Sequence, residues 1–227
     1  MTEWRRMGSV DIKAQAQLPD WLAGLSGMLA TTRAEDLTRF IPPHGEGRHS
    51  AVLILFGESE AGPDLLLIQR SSTMRSHAGQ PAFPGGAVDE ADEDASAAAL
   101  REAQEETGLD PAGVLVFGAL PDLWVPVTGF VVTPVLGWWR EPSPVRAQDP
   151  AEVESVHRVP FAELIDPANR CRVLHPSGYI GAGFTVADLV VWGFTAGLIA
   201  GLLDRLGWAV PWDETRMIAL PEELLEP

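Results

Sequence analysis

Cysteine, basic residues and long apolar runs are all scarce in this sequence of 227 residues. The single cysteine, Cys171, excludes an intrachain disulfide framework and suits a reducing compartment, so we expect a cytoplasmic protein. Lysine and arginine together number 16 against 32 acidic residues, which gives a formal net charge of -16. This balance argues against a nucleic-acid partner, because binding a phosphate backbone requires many basic side chains.

The longest uncharged apolar run, residues 189–203, is too short to span a membrane. A spanning helix needs about 20 apolar residues, whereas this run has 15 and lies between Asp188 and Asp204. We therefore expect a buried core helix over residues 186–206 and no membrane partner. The N-terminal residues MTEWRR are not followed by an apolar signal core, so no export signal is expected.

The remaining pattern predicts alternating strands and helices of the α/β class, with a mixed sheet between helices. We expect an N-terminal helical extension over residues 1–45, one main domain over 46–210 and a C-terminal tail over 211–227. Helices are predicted at 18–29, 34–40, 94–107, 161–165 and 186–206. Strands are predicted at 50–56, 64–70, 114–120, 130–139, 152–159 and 171–174, with a loose loop over 57–63.

Three glutamates share one face of the helix predicted over residues 94–107. Glu102, Glu105 and Glu106 stand at positions i, i+3 and i+4, so their carboxylates project from about one turn. Like charges at this spacing repel by roughly a few tenths of a kcal/mol per pair. A hard divalent cation, Mg²⁺ or Mn²⁺, would relieve the repulsion because it selects oxygen ligands. A solvated acidic face is the alternative interpretation.

The residues that flank this helix favour the metal site. Gly85 and Gly86 precede the helix, and glycine allows a backbone carbonyl to approach a ligand closely. Arg101 can pair with Glu105 one turn further on, or with the acidic turn before the helix, and either contact would hold carboxylates in place.

Other hydrolase and metal signatures are missing from the sequence. A calcium-binding loop that starts at Asp92 fails, because Ala97 stands where glycine is required and Ala103 stands where glutamate is required. The chain also has no P-loop, no G-x-S-x-G motif and no H-E-x-x-H motif.

The stretch from Gly86 to Leu109 resembles the Nudix box. The matching positions are Gly86, Arg101, Glu102, Glu105, Glu106 and Gly108, and Asp92 stands at the remaining acidic position. Two departures are visible: Asp92 stands where the box normally has glutamate, and one additional residue precedes Arg101.

Segments outside the box resemble the coenzyme A diphosphatase branch of this family. Residues 65–70 and 74–86 resemble its upstream signature, and residues 149–153 and 188–196 resemble further family segments, so the resemblance covers about residues 50–200. It implies a Nudix α/β/α sandwich and a metal-dependent hydrolase of coenzyme A or acyl-CoA. The products would be 4'-phosphopantetheine, or its acyl form, and adenosine 3',5'-bisphosphate.

The resemblance also implies roles for individual residues. The metal ligands, for Mg²⁺ or Mn²⁺, are expected to be Glu102, Glu105, Glu106 and the carbonyl of Gly86. The catalytic group is expected to be Arg101, Glu102, Glu105 and Glu152. Glu102 is either a ligand or the base that orients the water, and Glu152 is either an additional ligand or base from a distant loop or a surface acid.

Substrate contacts are expected from the segment upstream of the box. Arg70, Arg75, His77 and Gln80 can bind the phosphates or ribose of an anionic ligand. For His77 and Gln80, a hydrogen bond that braces the loop is the alternative. The expected partner is a small nucleoside diphosphate of the coenzyme A type. A homodimer is also compatible with the sequence.

Two further functional hypotheses stay open at this stage. One is a Nudix hydrolase of another substrate, such as NADH, ADP-ribose or an oxidised nucleotide. The other is a non-catalytic Nudix domain that binds a nucleotide metabolite, for which a lost box carboxylate would be the sign. Glu102, Glu105 and Glu106 are all present.

Overall fold

The computed structural model describes residues 8–38, 40, 47–74, 77–220 and 224. The described helices are α1 (Ile12–Gln15), α2 (Ala23–Thr31), α3 (Ala34–Leu37), α4 (Ala95–Thr107), α5 (Phe161–Ile165) and α6 (Gly193–Arg205). The described strands are β1 (Ser9–Val10), β2 (Arg48–Ser59), β3 (Gly62–Arg70), β4 (Pro81–Ala82), β5 (Gly85–Ala87), β6 (Val114–Ala119), β7 (Leu123–Val125), β8 (Phe130–Trp139), β9 (Val153–Pro160), β10 (Arg170–Leu174), β11 (Ile180–Val186), β12 (Leu189–Val191) and β13 (Met217–Ala219).

The chain divides into two compact units. The first unit comprises Met1–Phe56, Pro84–Glu105 and Leu109–Pro144, and the second comprises Gly57–Phe83, Glu106–Gly108 and Val145–Pro227. The boundary that the sequence predicts near residue 45 falls on 41–46, which lie outside the described residues.

A mixed sheet with strand order β1-β6-β8-β2 runs through the first unit. Strand β8 pairs parallel with β2 and antiparallel with β6 and β7. Leu53, Ile54 and Leu55 of β2 are fully buried, as expected for a parallel strand that is covered on both faces and therefore needs a continuous apolar run. The predicted α/β class with a mixed sheet is confirmed.

The double glycine lies on the short strand β5, beside β2. The antiparallel register places Gly85 opposite Val52 and Gly86 opposite Ala51. Gly85 has φ 156°, and a Cβ there would lie 2.3 Å from the carbonyl oxygen of Ala51. Only glycine can therefore occupy this position without moving the β2 backbone.

Helix α4 follows the expected boundaries closely. The Asp94 side chain accepts hydrogen bonds from the backbone N–H groups of Ser96 (2.8 Å) and Ala97 (2.9 Å), which satisfies donors at the start of the helix. The helix ends at Thr107, and Gly108 follows with φ 72°, a left-handed conformation that glycine adopts without a steric penalty.

The second unit contains two sets of paired strands. Strand β3 pairs antiparallel with β4 and β9. A separate sheet has the order β12-β11-β10-β13, in which β13 pairs parallel with β10. Residues 217–219, which the sequence assigned to a tail, form this last strand.

The prediction of one helix over residues 186–206 is wrong in its first part. Val186 ends β11, residues 189–191 form β12, and the helix begins at Gly193. Ala187 and Asp188 have φ values of 48° and 60°, which make a turn between the two antiparallel strands. The β-branched residues Val190 and Val191 favour a strand, whereas the composition of the run gave no sign of the turn.

The loop predicted over residues 57–63 is also shorter than expected. Strand β2 continues to Ser59 and β3 begins at Gly62, so the turn contains two residues. None of the helices in the described part of the chain has the length and apolar character of a membrane span.

Candidate active site

The three glutamates of helix α4 differ in exposure. The side chain of Glu105 is 58% exposed, that of Glu102 is 19% exposed, and residue Glu106 is 7% exposed. Glu106 lies on the side of the helix that also carries Ala99 and Ala103, both fully buried. The glutamates therefore extend from solvent to the edge of the core, and the solvated acidic face that was the alternative does not describe Glu106.

Gly86 lies against the carboxylate of Glu102 in the first unit. A Cβ at Gly86 would be 2.4 Å from both Cδ and Oε1 of Glu102. The absence of a side chain at this position thus allows the backbone of β5 to approach the carboxylate. The sequence predicts a close approach at Gly86, and the structure identifies Glu102 as the side chain that is approached.

Arg101 joins the acidic turn to the glutamates of the helix. Its Nε and Nη2 donate to the carboxylate of Asp92 at 3.1 and 3.0 Å, and Nη2 also donates to the carbonyl oxygen of Ala87 at 3.0 Å. Its Nη1 donates to Glu102 at 2.9 Å and to Glu105 at 3.1 Å. All five N–H groups of the guanidinium therefore have an acceptor. The sequence offered two partners as alternatives, and Arg101 binds both.

Asp92, which departs from the usual box, is paired with Arg101. The Asp92 side chain is 6% exposed and also accepts a hydrogen bond from the backbone N–H of Asp89 at 2.8 Å. The hydrogen bond from Arg101 is the largest cause that holds the pKa of Asp92 below its usual value, although burial opposes it. In the loop with one additional residue, the shorter aspartate still makes a bidentate pair with the arginine.

Glu102 experiences opposing electrostatic effects. Burial is the largest of them and raises its pKa, while the hydrogen bond and the charge of Arg101 lower it and the charges of Glu105 and Asp89 raise it again. The net effect is that the pKa of Glu102 is raised. Desolvation thus makes the ionised form of Glu102 costly, and Arg101 offsets only part of that cost.

The residue types of this group suit a hard divalent cation. Such ions select oxygen donors, and the helix presents carboxylates beside the backbone of Gly86. Within the described ranges, no three His, Cys, Asp or Glu side chains converge into a metal-binding group. Glu102 and Glu105 are turned onto Nη1 of Arg101. The donor set therefore fits the ion chemically, and Arg101 binds only one oxygen of each of these two carboxylates.

Within the second unit, the loop that contains Gln148 holds residues 106–108 at the end of α4. The backbone N–H of Gln148 donates to the carbonyl oxygen of Glu106 at 3.1 Å, and that of Arg146 donates to Thr107 at 2.9 Å. The amide of Gln148 also covers Gly108, where a Cβ would lie 2.6 Å from Nε2. Two of the helix carbonyls that lack a partner within the helix are satisfied in this way. The sequence carries no signal for this role of Gln148.

The second unit brings together four of the other predicted site residues. The backbone N–H of Arg70 donates to the carbonyl of Gln80 at 3.1 Å, and the N–H of Ser71 donates to the carbonyl of Glu152 at 2.9 Å. His77 Nδ1 lies 3.1 Å from Gln80 Oε1. Arg70, Glu152 and the loop of residues 77–80 are therefore neighbours, although they are distant in sequence.

The side chains of this second group have different environments. His77 has φ 56°, and its contact with Gln80 joins the two ends of the loop of residues 77–80. The Nε of Arg70 is buried and has no hydrogen-bond acceptor among the described residues. Glu152 is exposed. Arg75, the remaining predicted substrate contact, lies outside the described residues.

Comparisons with known proteins agree with these features. Residues 47–174 match the model of the NUDIX domain. The "Uncharacterized Nudix hydrolase NudL" of Escherichia coli strain K12 is 42% identical over 167 residues, which cover 70% of this chain and 83% of that protein. The protein of the same name from Citrobacter koseri is 40% identical over 197 residues, which cover 84% of this chain and 95% of that protein.

Solved structures give more distant matches. The NUDIX domain of Shewanella oneidensis NrtR, in complex with ADP ribose, is 20% identical with a TM-score of 0.48, and the match covers 78% of this chain and 99% of that one. The Nudix hydrolase RenU of M. smegmatis is 19% identical with a TM-score of 0.47, and the match covers 74% and 91% of the two chains.

Proposed function

The chain belongs to the Nudix family of hydrolases, which act on pyrophosphate bonds of nucleoside diphosphate derivatives, and from that premise we propose that its substrate is coenzyme A or acyl-CoA. Hydrolysis of coenzyme A by one water molecule gives 4'-phosphopantetheine and adenosine 3',5'-bisphosphate. An acyl-CoA gives the acyl form of the first product. The proposal includes Mg²⁺ or Mn²⁺ as cofactor and the cytoplasm as location.

The observation that carries the hydrolytic part of the proposal is the group formed by Gly86, Arg101 and Glu102. The glycine admits the carboxylate of Glu102 next to the backbone of β5, and the arginine holds this carboxylate and that of Glu105 in defined positions. Preorganised groups of this kind lower a barrier because they need no rearrangement when charge develops.

We assign the metal-ligand role to Glu102, Glu105 and Glu106, with the carbonyl of Gly86. A bound divalent cation would neutralise phosphate oxygens and polarise the phosphorus for attack by water. Glu106 is the most buried of the three carboxylates and is fixed through its own backbone carbonyl by Gln148. Of the three carboxylates, that of Glu106 is therefore the least hydrated and lies on the most firmly held backbone.

The base that orients the attacking water is assigned to Glu102 or Glu152. The raised pKa of Glu102, caused first by burial, makes this carboxylate a stronger proton acceptor than an exposed glutamate. Glu152 is exposed, and its backbone carbonyl accepts a hydrogen bond from Ser71, close to the loop of residues 77–80. Arg101 acts through the carboxylates that it holds.

The coenzyme A assignment is supported by the upstream signature and the chemistry of its residues. Residues 74–86 carry the segment that resembles the coenzyme A diphosphatase branch. Arg70, His77 and Gln80 supply cationic and hydrogen-bonding groups, which suit a ligand with several phosphates. Arg75 is part of the same proposal on sequence grounds alone. The buried Nε of Arg70 has no acceptor among the described residues and is a donor that a phosphate oxygen can satisfy.

The substrate proposal is tested with a panel of diphosphates. Purified protein is incubated with Mg²⁺ or Mn²⁺ and equal concentrations of coenzyme A, acetyl-CoA, 3'-dephospho-CoA, NADH, ADP-ribose and a dNTP, and products are identified by mass spectrometry. We expect kcat/KM for coenzyme A or acetyl-CoA to exceed that for NADH and ADP-ribose by at least about tenfold, a difference of roughly 1.4 kcal/mol. We expect a chelator to stop turnover.

Two results would count against the proposal in different ways. A preference for NADH, ADP-ribose or a dNTP would remove the coenzyme A assignment and leave the hydrolase in place. Chelator-resistant turnover would remove the metal assignment. A Glu154→Gln variant, which changes an exposed acid two residues from Glu152, controls for the effect of charge on the binding of an anionic substrate.

A further inference from the structure

The register of β3 and β9 places three polar side chains in one row. Gln69 pairs with Ser155, and Leu67 pairs with His157. Because side chains alternate along a strand, Ser155 and His157 point to the same face. Both residues are half-buried. None of the three belongs to the box or to the residues assigned above to the substrate.

These side chains form a continuous hydrogen-bonded chain that ends at the loop of residues 77–80. Nε2 of His157 lies 2.7 Å from Oγ of Ser155, and this hydroxyl lies 3.1 Å from Oε1 of Gln69. Nε2 of Gln69 lies 3.5 Å from the carbonyl oxygen of Gly79. The chain thus connects the middle of β9 to the loop of residues 77–80.

The direction of each hydrogen bond follows from counting protons. The amide nitrogen of Gln69 faces the carbonyl of Gly79, so its oxygen faces Ser155 and accepts the only hydroxyl proton. Ser155 then has no proton left for His157, and Nε2 of the histidine must donate. In this assignment His157 donates to Ser155, which is the opposite of the direction that activates a serine nucleophile.

The loop at the end of this chain has an unusual backbone. His77 and Gly79 have φ values of 56° and 66°. A non-glycine residue in this region is held there at a cost, so surrounding contacts must maintain the conformation. The described contacts include the bond from Gln69 to Gly79, the bond from the N–H of Arg70 to the carbonyl of Gln80, and the contact between His77 and Gln80.

We propose that Gln69, Ser155 and His157 are positioning residues that hold the loop of residues 77–80 in its substrate-binding conformation. The inference rests on the proposed function, which assigns His77 and Gln80 to substrate binding. These positioning residues act through the carbonyl of Gly79 and through the shape of the loop. Their loss should therefore weaken substrate binding and leave the chemical step at the box helix largely unchanged.

The state of His157 is consistent with this arrangement. Burial lowers the pKa of His157, and the charge of Asp188 opposes that shift. A lowered pKa favours the neutral ring, which carries one N–H group, and the hydrogen-bonded chain requires that group on Nε2.

The kinetic test uses Ser155→Ala with a matched control. Ser177→Ala is the control, because Ser177 also contacts a histidine two residues away. Its Oγ lies 2.8 Å from Nδ1 of His175, in an exposed turn that is not part of the hydrogen-bonded chain. We expect Ser155→Ala to raise KM for the diphosphate substrate about tenfold with kcat within about twofold of the parent, which is the signature of lost binding. Ser155→Thr, which keeps a hydroxyl, should restore most of the affinity, and Ser177→Ala should change neither constant.

An unchanged KM in Ser155→Ala, a fall in kcat alone, or an equal rise in the control would overturn the proposal. A second measurement is independent of activity. Nitrogen-15 NMR of the imidazole in the parent protein should show His157 with the proton on Nε2. A proton on Nδ1 alone would contradict the hydrogen-bonded chain, and this result does not depend on whether Ser155→Ala folds. A correct tautomer with no turnover of any diphosphate would instead count against the proposed function.

Discussion

The two adjacent glycines of β5 are required for different physical reasons. At Gly85 a side chain would collide with the backbone of β2, at 2.3 Å from the carbonyl oxygen of Ala51. At Gly86 it would collide with the carboxylate of Glu102, which is the end of a flexible side chain and can move. The first glycine is therefore required for folding, and the second is required for the position of the Glu102 carboxylate.

This difference predicts separable effects of two alanine substitutions. We expect Gly85→Ala to lower the free energy of unfolding by about 2 kcal/mol or more, because backbone must move. Gly86→Ala should cost less than about 1 kcal/mol but reduce kcat about ten- to 100-fold, because the carboxylate of Glu102 is displaced. Urea denaturation and steady-state kinetics measure the two quantities.

The control for both substitutions is Gly27→Ala in helix α2, where a Cβ has nothing within 4 Å. It should leave activity unchanged and raise stability by about 0.5–1 kcal/mol, because alanine is the better helix former. Equal losses of stability in Gly85→Ala and Gly86→Ala, or full activity in the latter, would contradict the distinct roles.

The sequence could predict the types of residue at this site better than their contacts. The i, i+3, i+4 spacing correctly placed three glutamates on one helix, and the pairing of Arg101 with nearby acids was expected. The contact between Gly86 and Glu102 depends on the register of β5 with β2, and that register is set by pairing across more than thirty residues. Local patterns carry no information on such a register.

At the scale of single elements, the turn before α4 and the helix itself act as one ionic unit. Asp92 from the turn and Glu102 and Glu105 from the helix share the guanidinium of Arg101. The shared partner fixes the turn against the second half of the helix. The aspartate at position 92 is therefore as much a part of the site as the helix glutamates.

The lowered pKa of Asp92 predicts a pH-dependent contribution to stability. Because the hydrogen bond from Arg101 holds the folded-state pKa below 3.8, the pair stabilises the fold above that value and loses its effect as pH falls below it. We expect Asp92→Asn to lower the free energy of unfolding by about 1–2 kcal/mol at pH 7. The difference from the parent should shrink between pH 4 and about pH 2.

Urea denaturation at a series of pH values measures this effect. Glu90→Gln, which changes an exposed acid of the same turn, should follow the parent at every pH. A constant difference between Asp92→Asn and the parent down to pH 2 would show that the pair with Arg101 makes no pH-dependent contribution.

Element boundaries were predictable where the local signal was strong. Helix α4 was correct to one residue, because it lacks glycine and proline and Gly108 follows it. The start of α6 was missed, because an apolar run gives no means of separating a buried strand from a buried helix. The turn at Ala187 and Asp188 uses left-handed conformations at two non-glycine residues, which composition does not reveal.

At the scale of the whole molecule, the acidity of the chain is concentrated around the site. Eight acidic residues and one arginine lie between Gly85 and Gly108 in a chain of net charge -16. Such a segment repels a polyphosphate substrate unless positive charge is supplied. Under the proposed function, a divalent cation supplies this charge, and we expect it to be needed for substrate binding as well as for chemistry.

The family and the α/β class could be derived from the sequence, because both depend on a motif and on hydrophobic periodicity. The row of Gln69, Ser155 and His157 could not, since it arises from pairing between β3 and β9 over about 90 residues. The same holds for Gln148, which contacts Gly108 from a proline-rich loop without secondary structure.

Replacement of Glu106 tests the central claim most directly. Glu106→Gln preserves the size of the side chain and one acceptor oxygen but removes the charge of the most buried of the three glutamates. With saturating Mn²⁺ and coenzyme A, we predict that kcat falls at least about 100-fold, while the free energy of unfolding without metal stays within about 1 kcal/mol of the parent. Glu154→Gln should retain full activity. A folded Glu106→Gln variant that turns over coenzyme A within about twofold of the parent rate would contradict the metal-dependent box as the site of hydrolysis.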